Sequence, residues 1–116
     1  LKRKKLFQKI QIEIVSKAEK LSFLRSVHNV AGIYALLKDG HVFYVGISKR
    51  IGHRIHNHLN KYGFDCDFML LEEIELTDKY RLLSKTHYKR ERYWIFEFVR
   101  FGIVLKNDIK RLKQLS

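Results

Sequence analysis

The chain has no proline, one cysteine and one methionine, and its 12 acidic residues are outnumbered by 24 lysines and arginines. Each shortage excludes something. Without proline or any Gly/Ser-rich stretch there is no sign of a linker, and no internal repeat is visible. A lone thiol, Cys66, can form neither an internal disulfide nor a zinc site. No apolar run approaches the roughly 20 residues of a membrane span. A charged-then-apolar signal segment is also missing, which points to a reducing, cytoplasmic setting with no membrane partner. The chain opens at Leu1 and its only methionine is Met69, so it reads as a piece of a longer protein.

What is in excess is positive charge. With 116 residues, 46% of them hydrophobic, the chain can build one core and has too little length for two ordinary domains. A net charge of +12 repels itself and is best relieved by a polyanion, nucleic acid first. An anionic membrane surface is the weaker alternative and rests only on the segment Leu1 to Leu24.

Periodicity supplies the elements. Leu6, Ile10, Ile14, Ala18 and Leu21 advance by three or four residues, which predicts an amphipathic helix behind the basic run Lys2-Arg3-Lys4-Lys5. That run is either a solvated helix start or a phosphate contact. Val30 to Leu37 and His41 to Gly46 read as strands around Lys38-Asp39-Gly40. A two-residue Asp39-Gly40 turn would put Tyr34 and Tyr44 on opposite faces. A three-residue loop with Gly40 left-handed pairs Leu37 with His41, hence Tyr34 with Tyr44, and both rings then share one face. Ile33, Ala35, Leu37, Phe43 and Val45 would fill the other face.

Downstream, Ser48 is the expected N-cap of a helix reaching about Lys61, with Ile51, Ile55 and Leu59 buried and Arg50, Arg54 and His58 along one edge. Phe68 to Ile74 is a short strand. Thr77 is expected to cap a helical region that ends at Gly102, with a break near Leu83 to Thr86. A last basic helix is expected from Asp108 to Leu115. The fold class is therefore α/β: a small three-stranded antiparallel sheet flanked by helices. Residues 1–29 form an additional N-terminal helical extension and residues 30–116 the domain proper.

Glu91 is the chemical anomaly. On a helix it shares a face with Tyr88, Trp94, Ile95 and Phe98, and a bare buried carboxylate costs several kcal/mol. It is either paired with an arginine or holds a metal ion. Tyr34 and Tyr44 are ordinary strand residues singly, but Gly32 and Gly46 flank them, where a ligand or another backbone can approach closely.

These residues together resemble the GIY-YIG nuclease family. Gly32-Ile33-Tyr34 and Tyr44-Val45-Gly46, with nine residues between, look like its signature triplets. Arg54, ten residues after Tyr44, matches the family arginine, and His58 matches the histidine that several members carry four residues later. Glu91-Arg92-Tyr93-Trp94-Ile95 is similar to the segment that begins with the family's metal-binding glutamate, and Asn107 is the nearest match to a family asparagine. The likeness runs from about Val30 to Asp108; the N-terminal extension lies outside it.

The resemblance implies hydrolysis of phosphodiester bonds in DNA, RNA remaining open, with one Mg²⁺ or Mn²⁺. Glu91 would hold the ion, and Arg54 would stabilise the phosphate as charge builds. Tyr34 would be the general base with Tyr44 orienting the water, or the two roles exchanged. An unperturbed tyrosine has a pKa near 10, so Arg54, the ion, or a hydrogen bond from His58 or Tyr44 would have to favour the phenolate. Asn107 would steady Glu91 or the water around the ion. Lys49, Arg50, Lys89 and Arg90 would contact phosphates with little sequence preference. Target choice would then come from a missing segment, a homodimer partner or DNA structure. The competing reading is a non-catalytic basic nucleic-acid-binding domain that keeps the fold, since the +12 charge by itself requires no chemistry.

Overall fold

The computed structural model describes residues 16–106, and within them three helices flank a three-stranded antiparallel sheet. Along the chain these are α1 Lys17–Ser26, β1 Gly32–Lys38, β2 His41–Ser48, α2 Ile51–Tyr62, β3 Asp67–Glu73 and α3 Lys85–Arg100. β1 is the central strand, between β2 and β3. Leu6, Ile10, Ile14, Asn107 and the expected helix from Asp108 lie outside the described residues. Among the described residues no helix is long and apolar enough to cross a membrane.

The β1–β2 hairpin corrects the expected register. The turn has two residues, Asp39 at φ 51° and Gly40 at φ 78°, and it pairs Lys38 with His41. Two consecutive positive φ values match the right-handed twist of the flanking strands. Taken alone, this turn would send Tyr34 and Tyr44 to opposite faces. A β-bulge prevents it: Leu37 pairs with Val42 but Leu36 with Tyr44, leaving Phe43 as the extra residue. Tyr34 therefore lies opposite Gly46, and Tyr44 is its diagonal neighbour on the same face. Phe43, expected on the other face, instead packs with Tyr62 at a ring separation of 5.4 Å.

A second bulge lies between β1 and β3, where Ile33 pairs with Glu72 and Tyr34 with Leu70. The extra residue, Leu71, shifts the alternation so that Glu72 meets α3: Arg90 forks onto its carboxylate at 2.6 to 3.1 Å, and Trp94 Nε1 donates at 3.1 Å.

Each sheet face has its own apolar layer. On one, Phe23, Leu24 and Val27 join Ile51, Ile55 and Leu59 of α2 over Tyr34, Leu36, Phe68 and Leu70. On the other, Ile95 of α3 covers Ile33, Ala35 and Val45, with Trp94 and Phe98 partly buried beside it. Each such side chain contributes about 1.5–3 kcal/mol when fully buried. α1 and the residue after it, Val27, are thus part of the first core layer.

Two helix starts differ from expectation. Ser48 is the last residue of β2, and its hydroxyl accepts from Arg50 N–H at 3.0 Å; Arg50 is the N-cap of α2 and offers no side-chain cap. Thr77 caps nothing. Asp78 captures the following backbone instead, its carboxylate accepting from Tyr80 N–H at 2.8 Å and its carbonyl from Arg81 N–H at 2.9 Å. α3 begins only where Ser84 and His87 form a reciprocal capping box, and Gly102, at φ 85°, follows its end.

α1 begins behind Ser16, whose hydroxyl accepts from Glu19 N–H at 3.1 Å. Its buried residues are Lys20, Phe23 and Leu24, while Ala18 of the predicted stripe is exposed, because the larger side chains claim the core. Lys20 is a buried cation: Nζ donates to Phe64 O at 2.8 Å and Cys66 O at 3.0 Å, and pairs with Asp67 at 2.9 Å. It ties α1 to the α2–β3 loop. Lys20→Ala would strip two carbonyls of their donor, so urea denaturation should show a loss of about 2–4 kcal/mol.

Candidate active site

Four of the predicted site residues converge on the α2 side of the sheet. Tyr34 comes from the central strand, Tyr44 from the edge strand, and Arg54 and His58 from successive turns of α2. The Tyr34 ring is 1% exposed, and its hydroxyl lies 2.8 Å from His58 Nε2. The two tyrosine rings stand 6.2 Å apart, and Tyr44 is 4.9 Å from the imidazole. Tyr62, which sequence reading missed, stacks on His58 at 6.0 Å from the next turn of α2. Its spacing of four from His58 was the available signal.

Gly46 has a steric reason to be glycine. A Cβ there would stand 2.6 Å from the Tyr34 Cζ and hydroxyl and 2.9 Å from Tyr44 Cε1. The diagonal packing of the phenols across the bulged hairpin requires a residue without a side chain at this point.

Electrostatics assigns states to these groups. Burial, then the neighbouring Tyr44, pushes Tyr34 well above its ordinary value, and the Arg54 charge only partly opposes this. At rest Tyr34 is a phenol, and Tyr44 works against its ionisation rather than for it. His58 is pushed down to about 4, chiefly by burial and further by Arg54 and Lys61, so it is neutral at pH 7. Burial opposes the Arg54 charge, but the two phenols more than offset it and the guanidinium stays firmly protonated.

The His58 shift also bears on stability. The unfolded chain takes up a proton near the ordinary histidine value of about 6.5, whereas the folded chain does so only near 4. Stability from keeping this imidazole neutral is therefore fully present above pH 6.5 and lost as the pH falls toward 4. Urea midpoints should decline more steeply over that window in the wild type than in His58→Gln; equal slopes would contradict the assignment.

Glu91 is wholly buried on α3, one turn before the buried Ile95, on the helix that packs against β2. Of its expected face, Trp94, Ile95 and Phe98 join the second core layer, while Tyr88 is 41% exposed. Among the described residues no group of three or more His, Cys, Asp and Glu forms a metal cage. Mg²⁺ is commonly held by one or two carboxylates with water and phosphate as its other ligands; Glu91 supplies a carboxylate of that kind, and it is 0% exposed. Lys49, Arg50 and Lys89 are exposed. Arg90, expected to contact phosphate, is committed to Glu72 and lies over the Tyr93 ring at 4.5 Å. In comparison with known proteins, no family model and no curated protein matches this chain.

Proposed function

We propose that this chain is a divalent-metal-dependent endonuclease of the GIY-YIG type that hydrolyses DNA phosphodiester bonds. The observation that carries the reading is the Tyr34–Tyr44–Arg54–His58 cluster. Two phenols, a guanidinium and a neutral imidazole, from three separate elements, meet beside a bulged hairpin whose geometry depends on Gly46.

The resting states of Tyr34 and His58 support a proton relay between them. With its proton on Nδ1, His58 would accept from the Tyr34 hydroxyl through Nε2, which leaves a lone pair on the phenol oxygen for the proton of the attacking water. As water attacks phosphorus, its proton passes to the Tyr34 oxygen while the phenol's own proton moves to His58. The tyrosine then relays without resting as phenolate. Arg54 meets the charge building on phosphate. A phosphate on Arg54 also offsets one of the charges that depress His58, so substrate binding raises the basicity of the final acceptor. Tyr44 orients the attacking water, and the departing 3′-oxygen is protonated from solvent. Glu91 would hold the divalent ion, which when bound supplies Lewis-acid stabilisation of phosphate charge.

Supercoiled plasmid incubated with the protein should be nicked or linearised with Mg²⁺ or Mn²⁺ and left intact in EDTA, and Arg54→Ala should remove the cleavage. Salt-sensitive binding without hydrolysis under any metal condition would favour the non-catalytic basic domain instead.

A further inference from the structure

A cleft of about 430 Å³ lies beside the start of α2, lined by Asn29, Lys49, Arg50, Tyr80 and Arg81. Two of these residues come from the β3–α3 loop, and that loop is held in shape. Asp78 fixes its backbone, Arg81 sits at φ 55°, and Arg81 Nη2 donates to Asn29 O at 3.2 Å. A non-glycine residue in this region is strained and persists where its surroundings over-determine it. The outcome is a tyrosine ring 71% exposed, with Lys79 Nζ over it at 5.6 Å and three further cations lining the cleft. Among the described residues none of Lys49, Arg50 and Arg81 is paired with a carboxylate.

We propose that this cleft binds an unpaired nucleotide of a DNA strand, the base stacked on Tyr80 and its phosphate among Lys49, Arg50 and Arg81. An aromatic face in a cationic groove is the chemistry that holds single strands, because every base has a π-face and every nucleotide a phosphate. The surroundings give the strand a direction. The adjoining cleft shares Asn29 and Arg81 but is also lined by Glu75, whose carboxylate oxygens repel phosphate. The strand is steered away from them, toward Arg50 and then Arg54 one helical turn further along α2. The substrate class would be DNA with a frayed, flapped or gapped segment beside the scissile phosphate. That extension to substrate rests on the nuclease reading, whereas occupancy of the cleft does not.

The test is therefore made without chemistry. Fluorescence anisotropy in EDTA would compare a short labelled oligodeoxythymidylate with a blunt duplex on the full chain. Tyr80→Ala should weaken single-strand binding about ten-fold or more, change duplex binding far less, and leave the melting temperature unaltered because the ring is exposed. Tyr80→Phe should bind like the wild type. Arg81→Ala should lower the steepness of log affinity against log salt by about 0.7 on the single strand. Unchanged single-strand affinity in Tyr80→Ala, or equal losses on both ligands, would overturn the proposal. A chain that binds in this pattern yet never cleaves with metal would refute the nuclease reading alone.

Discussion

Tyr34→Phe should slow phosphodiester hydrolysis by about 10²–10⁴-fold, the range that a positioned proton-transfer group supplies. The ring is retained, so the packing of β1 against α2 is kept. What is lost is one oxygen, which lies 2.8 Å from His58 Nε2 and is the only route by which that imidazole takes a proton from water in the proposed relay. Single-turnover cleavage at saturating protein separates this effect from binding, since DNA affinity should be unchanged. Stability should fall by only about 1 kcal/mol, one buried hydrogen bond. A variant that cleaves within a few-fold of the wild type would remove Tyr34 from the chemistry and leave it a core residue.

Glu91→Gln should abolish metal-dependent cleavage while leaving salt-sensitive DNA binding largely intact. The amide matches the carboxylate in shape, so α3 can keep its place over the second core layer, but the negative charge that would attract a hard cation is gone. A second readout does not involve turnover. If the wild-type chain binds Mg²⁺ or Mn²⁺ through this group, its melting temperature rises with metal concentration by mass action, and the variant's should not. Cleavage at the wild-type rate by Glu91→Gln would refute the assigned role. In the proposed mechanism Glu91 would meet the phosphate's charge by way of an ion and Arg54 directly.

Much of the fold was legible because it depends on local pattern. The stripe Ile51, Ile55, Leu59 recurs at helical spacing and is buried as predicted. Gly63 and Gly102 end α2 and α3, where positive φ is needed. The strand pair around Asp39-Gly40 was visible as a hairpin. Its register was not, because two departures compensate. The turn is one residue shorter than the expected loop, and the bulge at Phe43 restores the face of Tyr44. Bulges arise from packing on both sides of a sheet, which a single strand's alternation does not encode. The same reasoning covers Glu72, turned toward Arg90 and Trp94 by the bulge at Leu71. Thr77 and Ser48 were reasonable caps by residue type. Asp78 and the end of β2 took their backbone partners first.

Of the candidate site, the residue types and their spacing were readable, and four of them meet on one sheet face. Their protonation states were not readable. A tyrosine near arginine reads from sequence as a phenolate in waiting, but solvent exclusion by α1 and α2 outweighs that single charge. Nor could the sequence identify Lys20, whose buried ammonium has three partners all more than forty positions away. What the chain's order of residues determined alone was its periodicities, its turn chemistry, its excess of cations and the candidates for catalysis. Tertiary structure alone decided which phenol is buried, that His58 stays neutral, that Arg90 is spent on Glu72, and that Tyr80 and Arg81 stand beside Lys49 and Arg50. These are properties of distance and dielectric between segments remote along the chain, and neither quantity exists until the chain has folded.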